Sequence, residues 1–195
     1  MSCLETKEND KYLVEIYHDD FTTDPRIDFD HVSTMLCGNG RYSLGDKTDI
    51  DVNNFSDANE LESYLYQHEK ALIVKPLYLL DHSGLWIRTS RFHEDPQGWD
   101  TSFIGFIYVT RDSIKKFYNK NNLTKKMQET LNDCIEGEIK EYNQYLSGDV
   151  YGYKMYEKTK CDCKKCVTHL DEVDSCWGFY GRESIDDEVE SLLKC

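Results

Sequence analysis

Apolar and polar side chains alternate over residues 12–17, the period-2 pattern of a half-buried strand. Residues 19–51 carry no such period and several turn residues, among them Gly38, Gly40 and Gly45. They read as a long irregular segment over the core. Ser56 or Asp57 can cap a helix to about His68, with Leu61, Tyr64, Leu65 and His68 on one face. Residues 71–80 are rich in Leu, Ile, Val and Tyr and predict a buried strand. A turn at residues 81–84 and a return strand over 85–89 complete a hairpin. Residues 102–109 form a further strand, in which Gly105 predicts a bulge or a close approach.

Thr110 can cap a basic helix over residues 111–120, and a longer helix follows from Thr124 to about Leu146. The longer helix has an apolar stripe of Met127, Leu131, Ile135, Ile139, Tyr142 and Leu146, stepping by three or four. Gly148 terminates it. Residues 150–157 and 173–180 read as antiparallel partners, and Ser184 with Asp187 resembles a capping box for a last helix to about Leu193. Strands, then helices, then a hairpin predict an α+β fold with a mostly antiparallel sheet and helices packed on one side. At 195 residues a single domain is expected over 1–195, with a hairpin insertion at about 158–172.

Charge narrows the partners. The formal net charge is −14, from 37 acidic and 23 basic residues. Phosphate backbones recruit basic surfaces, so no direct nucleic-acid contact is expected, and docking onto a basic protein surface is. The carboxylates gather at residues 19–30 and 46–62 and at the C-terminus, where Asp186, Asp187, Glu188 and Glu190 are the expected partner-binding group. Cations gather in the middle, at Arg111, Lys115, Lys116, Lys120, Lys125 and Lys126. The longest apolar run is broken by Lys75 and Pro76, so no membrane contact is expected. Residues 1–10 are polar and lack an apolar signal core, which points to the cytoplasm.

Cys161, Cys163, Cys166 and His169 place three thiols and an imidazole in one short polar segment. Zinc favours tetrahedral sulfur and nitrogen ligands, and the C-x-x-C step of Cys163 and Cys166 presents two from one side. Lys160, Lys164 and Lys165 lower the thiol pKa values and offset thiolate charge. In a reducing compartment such clustering favours metal over disulfide. A structural zinc at a hairpin tip is therefore expected, with Cys176 or Asp171 as possible replacements for one ligand. Four protein ligands fill a tetrahedral shell, which suits a structural rather than a catalytic ion.

The known catalytic motifs are absent: no G-x-x-x-x-G-K-[ST], G-x-S-x-G or H-E-x-x-H occurs. Cys37 and Cys134 lie in apolar surroundings and read as structural. Asp81, His82, His93 and Asp95 are the residues for an alternative reading, a metal-dependent hydrolase. Residues of this kind more often cap turns. The aromatic residues Tyr142, Tyr145, Tyr151, Tyr153, Tyr156, Trp177, Phe179 and Tyr180 read as a sheet face under a helix, with some left for an interface.

Several phrases carry a resemblance. They are Ser33-Thr34-Met35-Leu36-Cys37 with Arg41-Tyr42-Ser43-Leu44-Gly45-Asp46, and Leu77-Tyr78-Leu79-Leu80-Asp81-His82-Ser83-Gly84. Gly105-Phe106-Ile107-Tyr108-Val109, residues 141–153 and residues 174–181 complete the set. Together they resemble a family of small acidic proteins carried by phages, prophages and integrative elements of Gram-positive bacteria. The resemblance spans about residues 24–181 and brings no catalytic residues. The cysteine-rich tip departs from that family's pattern and is similar to the metalloprotein type among anti-CRISPR proteins that act on the type II effector nuclease. The resemblance implies a non-enzymatic inhibitor that binds such a nuclease and blocks target-DNA loading. A phage interaction module without a defence target is the other non-enzymatic reading.

Overall fold

The computed structural model describes residues 2–38, 40–120, 122–160 and 168–194. In chain order the elements are β1 (Cys3–Glu8), β2 (Tyr12–His18), α1 (Pro25–Asp28), β3 (Thr34–Cys37), α2 (Ala58–Gln67), β4 (Ala71–Asp81) and β5 (Leu85–Arg88). Then follow β6 (Thr101–Thr110), α3 (Arg111–Tyr118), α4 (Lys125–Ser147), β7 (Val150–Lys160), β8 (Thr168–Tyr180) and α5 (Arg182–Leu193). The fold is α+β, with two four-stranded sheets among the described residues, ordered β1-β2-β7-β8 and β3-β6-β4-β5. Among the described residues every strand pairing is antiparallel. The chain divides into two compact units, Met1–Thr23 with Gln144–Cys195, and Asp24–Asn143.

In the first unit β2 alternates as its sequence requires. Val14 and Ile16 are fully buried and pack with Tyr151, Tyr153 and Met155 of β7. Ile185 and Val189, one turn apart on α5, close this core from one face of the sheet. The edge strand β1 has no apolar alternation, which is why the sequence pattern misses it. It is held by its ladder to β2 and by ion pairs to α5, Lys7 to Asp186 at 2.7 Å and Arg182 to Glu5. The capping box expected at Ser184 does not form. The helix begins at Arg182 with Gly181 as its cap residue, and the Ser184 hydroxyl donates to the Tyr180 carbonyl at 2.9 Å.

In the second unit α2 is capped by Asp57, whose carboxylate accepts from the Asn59 and Glu60 amides. Its Leu61 and Leu65 pack on Leu36, Ala71, Phe106 and Tyr108. Lys75 pairs with Glu136 of α4 at 3.1 Å, and the Asn143 amide bridges the Ile87 N–H and carbonyl at 2.7 and 2.8 Å. The stripe expected on α4 buries Leu131, Ile135, Ile139 and Tyr142. Gly105 has φ 146°, and a Cβ there would overlap the Leu36 carbonyl, so the close approach read from sequence is real.

The irregular segment after β2 contains a buried ionic centre. Asp24 caps α1, which places the Arg26 side chain out of solvent. Its guanidinium meets Asp46 at 2.5 Å, Glu138 of α4 at 2.9 Å and the Ser33 carbonyl at 3.0 Å. The same Glu138 carboxylate accepts from Val32 N–H and the Ser33 hydroxyl. Asp46 also accepts the Met35 amide at 2.7 Å, tying β3 into the centre. Beside it, burial pushes the Cys37 thiol up to about 12, as suits a structural cysteine.

Candidate protein-binding face and hairpin tip

One face of the β1-β2-β7-β8 sheet is covered by α5, and strand alternation sends a second set of side chains to the other. That set includes Leu13, Glu15 and Tyr17 of β2, Lys154 and Tyr156 of β7, and Glu172 and Trp177 of β8, matched by register. Trp177 lies flat on the backbone of Gly152, where a Cβ would overlap its ring. Tyr17 packs beside the indole, ring centroids 6.0 Å apart. The Tyr17 hydroxyl donates to Glu15, which holds the phenol above its usual range. Lys154 pairs with Glu172 at 3.2 Å.

These side chains are neither core nor freely solvated. Tyr17, Tyr156 and Trp177 are half-buried, fixed by their neighbours, and framed by carboxylates. Rigid aromatic residues with a polar rim are the composition of interface anchors. The sequence reading grouped Tyr156 and Trp177 with the aromatics under a helix. The structure separates them: Tyr151, Tyr153 and Phe179 belong to the α5 side, and Trp177 and Tyr156 to the other. The signal available in sequence was the parity of Tyr17 against Val14 and Ile16.

The hairpin of β7 and β8 runs to the pair Lys160–Thr168, close to the expected insertion at 158–172. Cys161, Cys163 and Cys166 lie outside the described residues. His169 is described, on β8 opposite Thr159, and its side chain is exposed. Its Nε2 sits 3.2 Å from Asp171 Oδ1, and Thr159 donates to the other oxygen of that carboxylate at 3.1 Å. A carboxylate on one ring nitrogen is a common support for a histidine whose other nitrogen binds metal. Asp171 is thus engaged by His169 and Thr159. Cys176 pairs with Tyr153, seven residues along β8 from His169, which is about 20 Å at strand rise. That separation argues against Cys176 as a replacement ligand. Among the described residues there is no group of three or more His, Cys, Asp or Glu placed to hold a metal.

The C-terminal carboxylates divide. Asp186 accepts from Lys7 and, through both oxygens, from Arg182, and these partners hold its carboxyl down at about 2. It is an internal tie between α5 and β1. Glu190 makes an i,i+4 contact with Lys194 at 3.5 Å. Asp187 is exposed and Glu188 is half-buried. The charge open to a partner on α5 is thus smaller than the sequence suggests.

The residues of the hydrolase reading come near one another, since Asp81, His82 and Asp95 all bond Asp100 and His93 and Asp95 line one cleft, but each carboxylate and His82 is already engaged. Asp81 accepts from Arg41 at 2.9 Å and Tyr42 at 3.1 Å. His82 Nδ1 is 2.9 Å from Asp100. Asp95 organises its own loop, accepting from the Asp100 amide and the Thr101 hydroxyl, and its pKa is lowered chiefly by the Asp100 amide. His93 lines a cleft of about 460 Å³ with Tyr78, Arg91 and Phe103.

No protein-family model, curated protein or solved structure matches the chain.

Proposed function

We propose that the chain is a non-enzymatic anti-defence protein of the phage type. In this reading it is an anti-CRISPR inhibitor that binds a type II effector nuclease in the bacterial cytoplasm and blocks loading of target DNA. The observation that carries the reading is the open sheet face, with Trp177 and Tyr17 fixed among carboxylates on a chain of net charge −14. A guide-loaded effector has positively charged channels for its heteroduplex and displaced strand. Carboxylates would steer encounter with such a channel, and the aromatic pair would supply the desolvated anchor. The resemblance to small acidic phage proteins supports the same setting. Among the described residues no helix is long and apolar enough to cross a membrane, which is compatible with it.

The proposed zinc, held by Cys161, Cys163, Cys166 and His169, would fix the end of the β7–β8 hairpin and carry no chemistry. The Asp171 support of His169 favours it. The hydrolase alternative loses ground because Asp81 and His82 are engaged with Arg41, Tyr42 and Asp100.

The test is target-DNA binding by a guide-loaded type II effector, titrated with this protein at fixed salt. Loss of the DNA complex near one equivalent supports a stoichiometric blocker. Intact DNA binding and cleavage at large excess would end this reading.

A further inference from the structure

We propose that the basic end of the second unit, built by α3 and the start of α4, docks a nucleic-acid phosphate backbone. Residues 111–126 hold six cations against one carboxylate, Asp112, in a chain otherwise dominated by acid. Lys116 is paired with Asp30 at 2.8 Å. Arg111, Lys115, Lys120, Lys125 and Lys126 have no ion-pair partner among the described residues.

The fold brings these charges together. Ile114 is buried and orients α3, so that Arg111, Lys115 and Tyr118 step along one flank at i, i+4 and i+7. Lys120 and Lys126 then share the walls of a cleft of about 380 Å³ with Tyr118, Thr124, Met127 and Thr130. Phe117 is an exposed aromatic beside Lys116, whose ammonium lies over one side of its ring at 4.9 Å from the centroid.

Ordinary helix electrostatics explains only part of this arrangement. Lys115 and Lys116 stand in the last turn of α3, where cations favour the helix dipole. Lys125 and Lys126 open α4, whose first turn has no acidic residue, and there a cation opposes the dipole. With Lys120 across the cleft, like charges converge where the free protein gains nothing from them. An anionic occupant relieves both repulsions.

A nucleic-acid strand fits better than a second copy. It is a thin line of phosphates with faces that stack on aromatic side chains such as Phe117. At physiological salt the screening length is about 8 Å, so of the chain's carboxylates a strand here meets chiefly Asp30, already on Lys116, and Asp112 and Glu129, each within a helical turn of Lys115 or Lys125. A second copy would bring its whole net charge of −14 with it. The inference goes beyond the protein-binding reading, stands without it, and revises the expectation of no nucleic-acid contact.

The experiment is fluorescence anisotropy with labelled 20-nucleotide single-stranded RNA and DNA across a salt series. Binding is expected at about 50 mM salt, with a slope of log K on log salt near −3, as for four or five phosphates on a single strand. The triple variant Lys120→Glu, Lys125→Glu, Lys126→Glu should bind at least ~10-fold more weakly with a flattened slope. It should keep or raise the melting temperature, because acids suit the first turn of α4. No binding by the native chain at low salt overturns the proposal, as does a folded triple variant with unchanged slope. A concentration-dependent dimer that the triple variant loses would assign the patch to a second copy and also overturn it.

Discussion

Trp177 rests face-down on Gly152 of the neighbouring strand, and the absence of a side chain at that position is what lets the indole lie there. Replacing Gly152 with Ala forces the ring off the sheet and spoils its packing beside Tyr17. Overpacking of this kind costs about 1–3 kcal/mol. Urea denaturation should show the loss, and a red-shifted tryptophan emission in the folded variant should accompany it. Unchanged emission and stability would mean that Trp177 does not sit on Gly152.

If the open face is the anchor, Trp177→Ala and Tyr17→Ala should each weaken binding to the guide-loaded effector by about 2 kcal/mol, as for interface hot spots. Circular dichroism and melting would establish that both variants remain folded. Neutralising Asp187 and Glu190 together should act differently, lowering the association rate and flattening its dependence on salt. Equal affinity of the aromatic variants and the native chain would move the binding site elsewhere.

Removal of Arg26 tests the ionic centre of the second unit. Arg26→Met leaves Asp46 and Glu138 facing one another without a counter-charge. Breaking a buried pair in this way costs about 3–5 kcal/mol. Partial recovery is expected when Asp46→Asn and Glu138→Gln are added, because the uncompensated carboxylates are then gone. The readout is the denaturation midpoint of the three chains.

Asp186 gives a pH dependence with a definite sign. Its partners depress the carboxyl to about 2, below the value of about 3.9 in an unfolded chain. Its contribution is therefore complete above about pH 4 and fades as pH falls toward 2. The group is partly exposed, so screening limits that contribution to about 1 kcal/mol. Asp186→Asn should accordingly be less stable than the native chain at pH 7, with the difference closing below pH 3. A gap that persists at pH 2 would locate the effect in something other than the carboxylate charge.

Zinc retention tests the hairpin tip. Cys163→Ser with Cys166→Ser should abolish bound zinc, measured by elemental analysis, and loosen the end of the last hairpin. Chelation should lower the melting temperature while the two sheets persist, since their cores are built from apolar residues outside the cysteine segment, the nearest being Met155, six residues before Cys161. Full zinc occupancy in the double variant would refute the ligand set.

Much of the element order was legible along the chain. The stripe on α4, the cap at Thr110, a cap at Ser56 or Asp57 (Asp57 in the structure) and the hairpin of β4 with β5 follow local rules, because each depends on residues within a few positions of one another. β1 and β3 were hidden. β1 has no apolar period and forms because β2 offers it an edge and α5 offers it counter-charges. β3 is four residues long, too short for its pattern to stand out, and exists because β6 pairs with it.

The functional surfaces divide along the same line. The sequence by itself determined the acidity of the chain, the cysteine cluster, the lysine-rich middle segment and the alternation of β2, all of which are properties of neighbouring residues. Only the tertiary structure decided which aromatics face outward, which of the C-terminal carboxylates is already neutralised, and how Lys120 and Lys126 come to share one cleft. The reason is physical: burial, ion pairing and register are set by side chains far apart in the chain, and Glu15, Gly152 and Trp177 become one surface only when β2, β7 and β8 are laid side by side.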